Sequence, residues 1–113
     1  MHEVGITRSI VEICEENARR QGATIIRSVT VEIGDLSGVV PEAVEFCFEA
    51  CSKGTLLEGA SLIIDRIPGR GRCGACQADC EMDTYRFECP ACGSLALQRT
   101  SGDELRVKEM EID

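Results

Sequence analysis

A chain of 113 residues has the size of one ordinary domain with a modest core, and 43% apolar against 28% charged residues is the balance of a folded globular protein. Twenty acidic against twelve basic side chains give a net charge of −8, which opposes attraction to a phosphate backbone and argues against a nucleic-acid partner. No apolar run nears the roughly 18 residues that span a bilayer, and the N-terminus lacks the basic and apolar regions of a signal peptide, so the expected compartment is the cytoplasm with no membrane partner.

From Glu3 to Gln21, Ile6, Ile10, Ile13, Cys14 and Ala18 recur three or four apart and predict an amphipathic helix that Gly22 ends. Val29, Val31 and Ile33 then alternate with Ser28, Thr30 and Glu32, predicting a strand with one buried face. Pro41 suits the first position of a second helix, with Val44, Cys47, Phe48 and Cys51 on its buried stripe and Gly54 as its stop. Ala60 to Ile67 predicts a second strand, apolar on both faces at Leu62-Ile63-Ile64 and so expected to be covered on both. Pro68-Gly69-Arg70-Gly71-Arg72 is too rich in glycine and proline to continue it. Thr100-Ser101-Gly102 makes another break. A last strand runs from Leu105 to Ile112, its phase slipping once at Lys108-Glu109 as at a β-bulge. So long a strand needs a broader sheet than a small cysteine module offers. It is therefore expected to return beside the strands of the first half, which makes the cysteine module an insertion.

Four of the eight cysteines form two tight pairs, Cys73-Gly74-Ala75-Cys76 and Cys89-Pro90-Ala91-Cys92, with twelve residues between them. Two C-x-x-C turns present two sulfurs each to one tetrahedral ion, which points to structural zinc. Iron in a rubredoxin-like electron carrier uses similar pairs and stays open as the alternative. In either case a segment of roughly 30 residues with few apolar side chains needs its metal in order to fold. Gly93 permits the tight turn after the second pair, whereas Gln77 follows the first. Cys80 matches neither pair and reads as a bystander, while Cys14, Cys47 and Cys51 lie on helix stripes and read as small core residues.

His2 is the only histidine. A single imidazole at a chain end has no necessary role, but the α-amine of Met1, the deprotonated amide and the imidazole Nδ1 of His2 can close adjoining chelate rings on one ion. The flat arrangement favours Ni(II) or Cu(II) over tetrahedral zinc, with Glu3 able to fill a fourth position. Such a local site suits temporary carriage. Both amine and imidazole bind only when deprotonated, so affinity should fall with pH.

The opening Met1-His2-Glu3, the stretch EIGDLSGVVPEA from Glu32 to Ala43, the turn GTLLEGA from Gly54 to Ala60 and the two cysteine pairs, in this order over essentially the whole chain, resemble the HypA/HybF family. The resemblance implies a nickel metallochaperone for [NiFe]-hydrogenase maturation, in some organisms also for urease. It implies a transient Ni(II) site at Met1, His2 and Glu3 and structural Zn(II) on Cys73, Cys76, Cys89 and Cys92. Implied partners are the GTPase HypB, the hydrogenase large subunit and, where urease is served, urease maturation proteins. Some relatives carry histidines beside the zinc cysteines, and this chain has none.

The expected fold is α+β, with two helices packed on a small mixed three-stranded sheet and an inserted zinc-ribbon module of paired C-x-x-C knuckles. Residues 1–69 and 101–113 form the expected nickel-binding domain, and residues 70–100 the zinc-binding domain. No enzyme is expected, since the chain has no phosphate-binding glycine loop and no second imidazole for an acid/base pair. Besides the electron carrier, a zinc-ribbon adaptor is a competing reading, supported only by Arg66, Arg70 and Arg72.

Overall fold

The structure, a computed structural model, describes residues 2–83, 85 and 88–113, and of His2 the backbone alone. The elements are α1 (His2–Arg20), β1 (Ile26–Gly34), α2 (Pro41–Ser52), β2 (Ser61–Ile67), β3 (Arg70–Cys73), β4 (Asp79–Glu81), β5 (Leu97–Ser101) and β6 (Leu105–Ile112). The chain divides into two compact units. One comprises residues 1–32, 40–65 and 106–113, the other residues 33–39 and 66–105.

The two helices lie in the first unit and pack against each other. Gly22 stops α1 in a paired arrangement in which the Gly22 N–H donates to Arg19 O at 3.0 Å and the Ala23 N–H to Ala18 O at 3.0 Å. Its buried stripe is Thr7, Ile10, Val11, Cys14 and Ala18, whereas Ile13, expected on that stripe, is 49% exposed. The buried line runs one residue round from the predicted one because Thr7 joins it, its hydroxyl satisfied by donating to Glu3 O at 2.6 Å. Pro41 opens α2, as expected, with Val44 and Phe48 buried beneath it.

The first sheet has the order β2-β1-β6. Asp113 and Ile25 exchange N–H···O bonds at one end of β1, and the Gly34 N–H donates to Glu104 O at 2.7 Å at the other, so β6 runs antiparallel to β1. The Asp35 N–H donates to Ile67 O at 2.9 Å, which brings the C-terminal ends of β1 and β2 together and makes that pair parallel. The sheet is therefore mixed, and β6 returns to it from the far side of the cysteine region as expected. It runs unbroken from Leu105 to Ile112. Its half-buried residues Val107, Met110 and Ile112 repeat the phase slip of the sequence.

Central placement overturns two expectations about burial. β1 is buried on both faces, although Ser28, Thr30 and Glu32 looked like a solvent face. Two of those side chains meet side chains of the adjacent β6, where Glu111 accepts from the Ser28 hydroxyl at 2.9 Å and Arg106 donates to Glu32. β2, apolar enough to be covered twice, is instead an edge strand, and its Ile63 is 49% exposed. A strand's depth is set by its neighbours, and pattern alone does not specify which strand has two.

The second unit holds a second sheet, of order β4-β3-β5, that the residue pattern does not predict. The break after β2 is only Pro68-Gly69. Arg70-Gly71-Arg72, read as part of a loop, is strand and pairs antiparallel with Asp79–Glu81 and with Gln98–Ser101. Backbones crowd where this unit gathers the strand ends. A Cβ on Gly34 would lie 2.0 Å from Gly102 O, and one on Gly69 would lie 2.4 Å from Met82 O, with the Leu36 side chain filling the same node.

Candidate metal centre

Cys73 is the last residue of β3, held in register opposite Leu97 of β5, and the chain turns at once toward β4. The Cys73 N–H donates to Ala78 O at 2.9 Å and the Gln77 N–H donates back to Cys73 O at 2.9 Å. Sixteen residues on, the pattern repeats. The Cys89 N–H donates to Ser94 O at 2.8 Å, and the Gly93 N–H to Cys89 O at 2.8 Å. The fifth residue of each loop is left-handed, Gly93 at φ 77° and Gln77 at φ 67°. Gln77 thus adopts the geometry that only Gly93 was expected to supply, at a steric cost that glycine avoids. The equal offset of Gln77 and Gly93 from the first cysteine of each pair was the sequence signal for it.

These two knuckles bring Cys73, Cys76, Cys89 and Cys92 together, with all four sulfurs within 4.8 Å of one another. Cys73 Sγ lies 3.6 Å from Cys92 Sγ, and Cys76 Sγ 3.7 Å from Cys89 Sγ. Four thiolates at a Zn–S distance of about 2.3 Å sit about 3.8 Å apart along the edges of a tetrahedron, so the cradle has the right size for such an ion. Cys73 and Cys89 are buried while Cys76 and Cys92 face solvent. With four protein sulfurs in place, no coordination position is left for a substrate.

Electrostatics point the same way. The Cys76 N–H, directed at Cys73 Sγ from 3.4 Å, and the Ala75 N–H at 3.3 Å hold the Cys73 thiol down to about 6. The Cys92 N–H is the leading cause that lowers Cys89. Cys92 goes the other way, to about 12, because the crowded sulfurs of Cys73, Cys76 and Cys89 outweigh the N–H of Ser94. Cys76 is raised as well, its Ala78 N–H opposed by desolvation and by the sulfurs of Cys89 and Cys73. Four sulfurs this close cannot all carry charge alone, and a divalent cation removes that conflict.

Cys80 sits on β4, buried and outside the quartet. Cys14 lies in the helical core, and burial pushes its thiol up to about 11. Cys47 and Cys51 are half-buried on α2. Of the N-terminal trio, Met1 and the His2 side chain lie outside the described residues. Glu3 is half-buried in the first turn of α1, and its carbonyl receives the Thr7 hydroxyl. Among the described residues no helix is long and apolar enough to cross a membrane.

Comparison with known proteins covers the full length. A family model described as "Hydrogenase/urease nickel incorporation, metallochaperone, hypA" matches residues 1–112. Proteins named hydrogenase maturation factor HypA from Geobacter sulfurreducens and Geobacter metallireducens are 58% and 56% identical over 113 residues, covering all of both chains in each case. The solution structure of the Ni metallochaperone HypA from Helicobacter pylori superposes with a TM-score of 0.68 at 26% identity, covering 99% of this chain and 97% of the other. A second solution structure, titled HypA protein, gives a TM-score of 0.72 at 26% identity over 99% and 96% of the two chains.

Proposed function

The chain belongs to the HypA family of hydrogenase/urease nickel-incorporation metallochaperones, and from that premise we propose that it carries Ni(II) at its N-terminus and delivers it for [NiFe]-hydrogenase maturation. The observation that carries the reading is the family match from residue 1 to residue 112, which includes the terminal Met1-His2-Glu3. In this reading residues 1–69 and 101–113 are the nickel-carrying part and residues 70–100 the zinc part.

The Met1 α-amine and the His2 amide nitrogen and imidazole bind nickel, and Glu3 completes the set. Two features support this. α1 begins at His2, and the first N–H groups of a helix have no intrahelical partner, so the His2 amide nitrogen is not committed to the helical ladder. Glu3 also places a carboxylate in the first turn, where negative charge offsets the positive end of the helix dipole. Release follows the same chemistry, since protonation of amine or imidazole, or competition by a stronger ligand set, frees the ion.

Cys73, Cys76, Cys89 and Cys92 hold Zn(II), which when bound balances four thiolates and folds the module around it. The chain's own residues prepare the site, through the left-handed turns at Gln77 and Gly93 and the N–H groups aimed at Cys73. Delivery takes place in the cytoplasm and engages the GTPase HypB and the hydrogenase large subunit, with nucleotide hydrolysis on the GTPase. The chain itself performs no catalysis.

Calorimetric Ni(II) titration of the native protein, of His2→Ala and of a form with one residue added before Met1 tests the site. Native protein binds one ion and both variants lose the site. Equal binding by all three would disprove the terminal chelate. Metal analysis with an absorption spectrum tests the quartet separately, with one zinc per chain and no colour expected, and a coloured iron protein pointing instead to an electron carrier.

A further inference from the structure

Helix α2 carries a face that the metal chemistry leaves unused. Phe46 is 88% exposed, the full side of an aromatic ring in water on a helix that otherwise shows carboxylates there. Glu49 and Lys53, at i+3 and i+7 from Phe46, continue its ridge along the helix, and Glu45 adjoins it. That ridge leads to a pocket of about 560 Å³ walled by Phe48, Glu49, Ser52 and Lys53 of α2 and by Leu57 to Ala60 of the following turn.

We propose that this ridge and pocket form a docking surface for a protein segment that presents an apolar side chain between basic residues. The apolar side chain enters the pocket, Phe46 packs across the segment as the aromatic anchor, and Glu45, Glu49 and Glu58 receive the flanking cations. Charge selects this occupant. A second copy of the chain would set these carboxylates against themselves in a two-fold contact, and a small apolar ligand in the pocket would leave Phe46 in water. The proposal rests on α2 and the turn after it and is independent of the nickel site.

The test is a ¹⁵N–¹H correlation titration of the full, metal-loaded chain with two capped synthetic peptides, one with two leucines flanked by lysines and its twin flanked by glutamates. The lysine peptide shifts the resonances of residues 45–60, weakens as salt is raised, and binds at least tenfold more weakly to Phe46→Ser and to the double variant Glu45→Lys, Glu49→Lys. Phe46 is on the surface, so its variant keeps the native spectrum elsewhere. The proposal is overturned if the shifts fall outside this face, if the glutamate twin binds equally, or if Phe46→Ser binds as native does. Concentration-dependent self-association through the same resonances without peptide would also overturn it, assigning the face to a second copy.

Discussion

The two units of this molecule are held together by different physics. In the helical unit the interior is ordinary apolar packing, with Ile10, Val11, Cys14, Ala18, Ile26, Val29, Val31, Val44, Phe48 and Leu57 all buried. In the other unit the buried apolar side chains among the described residues are Ile33 at the end of β1, Leu36 just after it, and three cysteines, two of which belong to the quartet. A segment with so little apolar surface to bury cannot offset the conformational entropy of ordering its loops. The four clustered cysteines are what that unit offers in place of a core, and a metal held by them is expected to supply its order.

Removing the metal should break the comparison most sharply. Chelation, or Cys73→Ser, is expected to abolish the dispersed resonances of residues 70–100 while the helical signal of α1 and α2 persists, since ligation of a structural zinc is worth about 10–16 kcal/mol near neutral pH. Loss of both together would mean that the helical unit also depends on the metal. Acid should do the same more gradually. Without metal, Cys73 at about 6 is already a thiolate at pH 7, whereas Cys92 at about 12 and Cys76, raised above the ordinary thiol value by its neighbouring sulfurs, keep their protons, so binding at neutral pH must release both. Metal affinity therefore falls as pH drops, and falls more steeply below about 6, where Cys73 must also give up a proton. Metal retention measured against pH checks both slope and sign.

The converse experiment attacks the apolar unit. Phe48→Ala empties a buried ring position and should cost about 3–5 kcal/mol in denaturant unfolding, with the metal content of the folded fraction unchanged. At the crowded backbone node, Gly34→Ala drives a methyl group into Gly102 O and should cost about 1–3 kcal/mol or more. The smallest effects lie in the knuckles themselves. Gly93→Ala should destabilise the metal-bound module by about 1 kcal/mol, and Gln77→Gly should leave it unchanged or stabilise it by up to about 1 kcal/mol. Equal and opposite shifts in melting temperature would establish that the two loops are the same device built from different residues.

Much of the metal centre was legible in the sequence because its geometry is local. A C-x-x-C turn sets two sulfurs side by side whatever surrounds it, so two such turns named the quartet, and the structure gathers those four and leaves Cys80 out. The left-handed Gln77 was missed because no glycine marked it. The helices were legible for the same local reason, with Pro41 and Gly22 at their expected ends. The buried line of α1 was misplaced by one residue because a satisfied threonine is indistinguishable from a polar surface residue until its hydroxyl finds a carbonyl.

By itself, then, the sequence determined the four cysteines that cluster, the two helices, the return of the last strand and the family, all of which rest on short-range spacing or on ordered motifs. Only the tertiary structure decided that β1 is central and β2 an edge, that Ser28, Thr30 and Glu32 are buried, with Ser28 and Glu32 bonded to β6, and that Arg70 to Cys73 organises a second sheet. These are matters of which strand lies beside which, and hydrogen bonding between strands distant along the chain leaves no period in either of them.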